Sequence, residues 1–329
     1  MSFFLGKNIL SNIGGLSMPN IVETAIFPIT NRCNLRCNFC FASAQYSNKD
    51  KMDLSYFENK INELKDYGLK KVILTGGEPT IHPDFYKFLK VTNNFSLPVQ
   101  VLTNGTTTLD KEIYQNEYIS HFVVSIDGES ETHDFLRGKK GAYERTVKFL
   151  EHLPKKIPFS TTMTVSEKNI SEIEAVYLLS ISLGAQSITI NPVIPDGKAA
   201  HIEQGIEVHE KIFEEIKRVY QKYFFKIPIY TSLCTREKLK HYLNPIVTNL
   251  FRTLWIGNND IYSHFPLPSE ENDIYSLGLL DSKIKESTFY RFLLMNNEMN
   301  NIDNPNGVID QHQMLKDQYK RYILGVNNV

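Results

Sequence analysis

The chain has 329 residues, of which 42% are hydrophobic and 22% charged, with a formal net charge of −1. This length allows one large α/β domain with an appendage or two ordinary domains, and the composition is that of a globular protein with a sizeable core. The near-zero charge leaves no electrostatic footprint for nucleic acid or an anionic membrane, and no run approaches the roughly 18 apolar residues of a membrane span.

Taken in chain order, short apolar runs alternate with longer amphipathic stretches. Strands are expected at 24–30, 71–79, 98–105, 121–128, 158–166, 186–193 and 226–233. Helices are expected at 54–68 (with Gly68 as a C-cap), 83–94, 141–152, 171–183 and about 203–224. Repeated β–α units with apolar strands predict a parallel sheet covered by helices. Polar residues collect where strands end: Thr75-Gly76-Gly77-Glu78, Thr103-Asn104-Gly105, Ser125 with Asp127, and Asn191-Pro192. In barrels built this way the functional rim lies at those ends. After about residue 234 the pattern changes. The stretch 252–268 reads as a hairpin, and the tail has helical stretches around an Asn-rich break.

The N-terminus, MSFFLGKNILSNIGG, lacks the apolar core and cleavage pattern of a secretory signal. A cytoplasmic protein with reduced cysteines is the expectation. Three of the four cysteines, Cys33, Cys37 and Cys40, nevertheless crowd into one short stretch, NRCNLRCNFCF. Zinc is one reading, with His82 or His133 completing the four ligands that a structural site needs. Plain core cysteines are another, although Asn34, Arg36 and Asn38 between them suit an exposed loop. An iron–sulfur cluster suits three thiolates better, with one iron left open.

Cys-x3-Cys-x2-Cys, with Phe39 before the last cysteine, resembles the signature of radical S-adenosylmethionine (SAM) enzymes. Gly76-Gly77-Glu78-Pro79 resembles that family's Gly-Gly-Glu motif, and the resemblance covers about residues 22–285. It implies a partial (β/α)6 TIM barrel and a 4Fe-4S cluster on Cys33, Cys37 and Cys40. It also implies that SAM is chelated at the open iron and cleaved to a 5′-deoxyadenosyl radical. Gly76, Gly77 and Glu78 are expected to meet the SAM amino group, and Ser125 and Asp127 its ribose and carboxylate. Phe39, Asn104, Arg137 and Asn191 join the expected cofactor-binding set. An electron donor such as flavodoxin or ferredoxin, and a peptide or small-molecule substrate, are the implied partners. No nucleic acid and no membrane are expected among them.

The segment 125–143 and NPVIPDGKA (191–199) resemble the branch of the family that carries a C-terminal SPASM or twitch extension. That extension ordinarily holds auxiliary clusters, but His264 stands where its hairpin cysteine would be, and no cysteine follows position 234. A barrel over 1–234 and a cluster-free, twitch-like hairpin and helical extension over 235–329 are therefore expected. The lone Cys234 reads as a small core residue or as the thiol that returns a hydrogen atom to a substrate radical. The second reading points to an epimerase. Other radical SAM oxidations, cross-linkings or rearrangements, and a non-catalytic iron–sulfur or zinc module, stand beside it.

Overall fold

The computed structural model describes residues 22–45, 52–66, 68–115, 118–202, 206–224, 226–231, 253–256 and 262–263. Seven parallel strands run in chain order: β1 (Thr24–Pro28), β2 (Lys71–Thr75), β3 (Val99–Thr103), β4 (Ile119–Ser125), β5 (Phe159–Val165), β6 (Ile188–Pro192) and β7 (Ile229–Tyr230). Each pairs with its neighbour in sequence, as expected of repeated β–α units. On the other side of β1 the sheet continues with β8 (Thr253–Ile256), also parallel, and then β9 (Tyr262–Ser263), antiparallel to β8. The expected hairpin at 252–268 thus exists as a β8–β9 pair, and it extends the barrel sheet at its β1 edge. Cys234, His264 and the expected 234/235 domain boundary lie outside the described residues.

The connecting helices are α1 (Leu54–Lys65), α2 (Phe85–Asn94), α3 (Lys111–Gln115), α4 (Ser130–Arg137), α5 (Ala142–Glu151), α6 (Ile173–Leu183) and α7 (Ile206–Tyr223). Asp53 caps α1 by accepting the Ser55 and Tyr56 N–H groups at 2.8 and 3.2 Å. The spacing of Phe57, Ile61 and Leu64 puts one apolar stripe of α1 on the sheet. Phe27 of β1, Phe57 of α1 and Phe88 of α2 meet edge-on with centroids 4.6 and 4.8 Å apart, locking the first two helices to the sheet. Helix α1 stops at Lys65, short of the expected 68, and Gly68, with φ +95°, turns the chain toward β2.

Strand parity separates two faces. Val72, Leu74, Val99, Val101, Phe122, Val124, Phe159 and Met163 are buried in the core beneath the helices. Alternate residues, among them Thr75, Ser125, Thr162, Thr164 and Asn191, face the other way, into the barrel lumen. At the lumen's lower end Lys71 Nζ donates to Gln100, and His121, Ser160 and Ser187 form one hydrogen-bonded row. At the upper end lies the cysteine loop.

Candidate active site at the strand C-termini

The loop 31–45 leaves β1 and folds across the rim. Cys33 and Cys37 are buried and Cys40 is partly exposed, and the three pack in one cluster with Leu35, Ala44, Ala142 and Phe39. The Leu35 N–H donates to Cys33 Sγ at 3.4 Å. Burial pushes the free Cys33 thiol up to about 12, and the Glu78, Cys37 and Cys40 charges add to the rise. Burial raises Cys37 as well, against the pull of Arg137. Burial and mutual repulsion disfavour three thiolates here, so they gain from a cation that replaces their protons.

Among the described residues no three His, Cys, Asp or Glu side chains converge on a position for a single metal ion. Three soft donors spread around one loop fit an iron–sulfur cluster better than a mononuclear zinc ion. Among the described residues neither His82 nor His133 converges with two other His, Cys, Asp or Glu side chains on a metal position. His82 Nδ1 accepts the Asp84 N–H at 3.0 Å, and His133 Nδ1 accepts the Asp127 N–H at 3.1 Å.

The Gly-Gly-Glu turn explains itself sterically. A Cβ on Gly76 would lie 2.2 Å from the Thr30 carbonyl oxygen, and one on Gly77 2.2 Å from that of Arg32. The Gly77 and Glu78 N–H groups donate to those same oxygens at 2.7 and 2.8 Å, extending the sheet into the root of the cysteine loop. The close approach expected toward a cofactor is therefore made first to the loop itself. The Glu78 carboxylate is buried. Its Oε1 accepts from the Thr80 N–H and hydroxyl and from the Thr103 hydroxyl, and its Oε2 from the Asn104 N–H. Burial raises its pKa, and those donors oppose the rise.

Asn104 is likewise committed. Its Nδ2 donates to Asn34 Oδ1 at 2.9 Å and its Oδ1 accepts from Thr106, so it ties the β3 end to the cysteine loop. Ser125 is half-buried at the end of β4 and Asn191 lies on β6, both on the lumen face. Asp127, just beyond β4, is fully buried. One oxygen accepts the Thr164 N–H at 2.8 Å and the other contacts Arg137 Nε. Arg137 in turn lies 3.9 Å from Cys37 Sγ and 5.4 Å from the Phe39 ring centre. The structure thus brings Phe39, Asp127 and Arg137 together on Cys37. It also reveals two contacts that the sequence reading missed: the Gly138 and Gly197 turns lie against the carbonyls of Arg36 and Phe41.

The family model for the radical SAM superfamily matches residues 27–179, the stretch that carries the cysteine loop, the Gly-Gly-Glu turn and the Asp127–Arg137 pair. The chain belongs to the radical SAM superfamily. Among curated relatives, it is 34% identical over 208 residues to the AdoMet-dependent heme synthase of Methanosarcina barkeri, covering 61% of this chain and 58% of that protein. It is 29% identical over 197 residues to the sporulation killing factor maturation protein SkfB of Bacillus subtilis, covering 58% of this chain and 47% of that one. The chain thus spans about half the length of these relatives. In fold it is similar to Streptococcus suis SuiB bound to S-adenosylmethionine, with a TM-score of 0.66, 13% identity, and coverage of 90% of this chain and 72% of that one.

Proposed function

We propose that this chain is a radical SAM enzyme of natural-product or cofactor biosynthesis. The observation that carries the reading is the packed group of Cys33, Cys37 and Cys40 pinned beside the Gly-Gly-Glu turn at the open end of a parallel barrel. A four-iron cluster held by those thiolates would supply one electron to the sulfonium of SAM, whose C5′–S bond then breaks to give methionine and a 5′-deoxyadenosyl radical.

The chain's own residues prepare that event. Glu78 Oε2, with one donor already on it, offers remaining lone pairs to the SAM ammonium. Ser125, on the lumen face at the end of β4, is proposed to meet the SAM ribose or carboxylate, and Asn191, on β6, to join it in binding the cofactor. Asp127 acts through Arg137, because its carboxylate is already engaged. The polar upper lumen, with Thr162, Thr164 and Asn191, suits a substrate with hydrogen-bonding groups, a peptide or a polar small molecule.

The finer reading is epimerisation of a peptide or sugar-containing product, with Cys234 returning a hydrogen atom to the substrate radical. It rests on one spare cysteine beyond β7, with no other cysteine between residues 235 and 329. The coarser reading is tested by anaerobic reconstitution with iron and sulfide followed by dithionite and SAM. 5′-Deoxyadenosine and methionine should form in wild type and in no variant lacking Cys33, Cys37 or Cys40. SAM surviving intact beside a fully reduced cluster would leave only a binding module.

A further inference from the structure

Arg137 is held against the cysteine loop through both its backbone and its side chain. Its backbone carbonyl accepts the Arg36 N–H at 3.1 Å, and the preceding carbonyl, of Leu136, accepts the Asn38 N–H at 3.2 Å. The chain can follow this path because residue 138 is glycine: a Cβ there would lie 2.4 Å from the Arg36 oxygen. The end of α4 is therefore interlocked with the loop on both sides of Cys37. From this anchor the guanidinium reaches back over Phe39, with Nη1 toward Cys37 Sγ at 3.9 Å and Nε against Asp127.

Asp127 is fixed just as firmly. Its N–H donates to His133 Nδ1, its carbonyl accepts from Asn169 Nδ2 at 2.7 Å, and its Oδ1 accepts the Thr164 N–H. The two side chains are 10% and 0% exposed. They meet directly through Arg137 Nε and Asp127 Oδ2. A SAM contact alone does not explain why a buried carboxylate should be built to hold an arginine against a metal-ligating sulfur.

We propose that Arg137 tunes the cluster, raising its reduction potential by donating an N–H to the Cys37 sulfur, and that Asp127 sets how much of the arginine's charge the cluster feels. One-electron reduction adds a negative charge to the cluster, so a nearby cation favours the reduced form. Hydrogen bonds to the sulfurs and local charge are among the levers that set iron–sulfur potentials, and outer groups that hold a ligand tune the metal it binds. The effect is large in a buried site, where solvent does not screen it. Arg137 is a positioning residue in this role. The role is compatible with a SAM carboxylate meeting its other amino nitrogen, Nη2.

The proposal rests on the cysteine loop carrying a four-iron cluster, and the experiment separates the two claims. Full-length protein is reconstituted without SAM, its iron is counted, and its cluster is titrated by EPR-monitored reduction. Wild type is compared with Asp127→Asn and with Asp127→Asn/Arg137→Met, which removes both buried charges together. Asp127→Asn should shift the midpoint to a less negative potential than wild type, and the double variant to a more negative one, at equal iron content. Coincident midpoints, or the reverse order, overturn the proposal. Should the variants fail to load iron, wild type labelled with 15N in its arginine guanidinium groups decides. A 15N hyperfine coupling to the reduced cluster supports the contact, and its absence overturns it. A wild-type chain that assembles no four-iron cluster removes the underlying reading instead.

Discussion

The Asn104 backbone N–H donates to Glu78 Oε2 at 2.7 Å, so the acidic residue of the Gly-Gly-Glu turn is fastened to the end of the next strand. With the Thr80 and Thr103 donors on Oε1, the carboxylate joins β2, the turn after it, and β3. Glu78 therefore has a structural duty beside the one proposed for it toward SAM.

That duty shapes the effect of Glu78→Gln. The amide NH2 must face either the Asn104 N–H or the Thr80 N–H, donor against donor, in a buried site. Leaving such a group unsatisfied costs about 1–3 kcal/mol, and urea denaturation should show a loss of that size. Removing the charge-assisted bond to the SAM ammonium should also weaken SAM binding roughly 10- to 150-fold. Calorimetry that finds unchanged SAM affinity in a folded Glu78→Gln protein would reject the SAM contact and leave the structural one.

Gly197 gives a second expectation. Its φ is +56°, and an added Cβ would stand 2.1 Å from the Phe41 carbonyl oxygen, beside the point where the Lys198 N–H donates to the Cys40 carbonyl at 3.0 Å. Gly197→Ala should displace the end of the cysteine loop and lower iron occupancy after reconstitution while leaving the far-ultraviolet circular dichroism intact. Gly184 is the control. Its φ is +87°, but no atom lies within 4 Å of an added Cβ, so Gly184→Ala should cost about 1 kcal/mol of stability and no iron. Equal iron content in the two variants would refute the clamp at Gly197.

Much of this site is legible in the sequence because its signals are local. Cys33, Cys37 and Cys40 lie on one loop, Gly76 to Glu78 on one turn, and apolar parity marks each strand. The expected strands 121–128 and 158–166 differ from the observed Ile119–Ser125 and Phe159–Val165 only at their ends. Helix α4 carries no capping signal of its own in the sequence, and the reason is physical. Its N-cap is Glu129, whose side chain makes no cap hydrogen bond. The helix start is held instead by Glu172, which accepts from the Glu129 N–H and the Thr132 hydroxyl across 43 and 40 residues of sequence. The grip of Arg137 on Cys37 spans 100 residues. No local periodicity encodes a contact of that separation, so Asp127 could be read as a cofactor ligand but not as the holder of an arginine.

His133 predicts an acid sensitivity. Its Nδ1 accepts the Asp127 N–H, so the neutral ring carries its proton on Nε2, which is buried without a hydrogen-bond partner. Burial first, and Arg137 second, hold its pKa down to about 4. In the unfolded chain the ring titrates near ~6.5. Between those values the unfolded state takes up a proton that the folded state refuses. The contribution to stability is thus fully present above about pH 6.5 and is lost as the pH falls toward 4, by about 2 kcal/mol at pH 5. His133→Asn keeps an acceptor for the Asp127 N–H and cannot titrate, so its urea midpoint should fall less between pH 7.5 and pH 5. Parallel curves for the two proteins would contradict this assignment.

Cys234 carries the finer functional reading. With the substrate in hand, Cys234→Ala should still cleave SAM and abstract hydrogen, then fail to complete inversion. In deuterated water the wild type should place one solvent-derived deuterium on the inverted carbon, since thiol protons exchange with solvent. A core role would instead produce a stability loss of order 1 kcal/mol from a small cavity, with product unchanged. Normal deuterium incorporation by Cys234→Ala would exclude the thiol as donor.

The central claim is that Cys33, Cys37 and Cys40 hold one cluster with a corner left for SAM. Its most direct test is the EPR spectrum of the anaerobically reconstituted, dithionite-reduced protein before and after SAM is added. The three cysteines of the loop predict a single four-iron signal per chain. That signal should change shape when SAM binds and should be lost when any of the three cysteines becomes alanine. A spectrum indifferent to SAM, a second cluster on the chain, or tightly bound zinc in place of iron would contradict it.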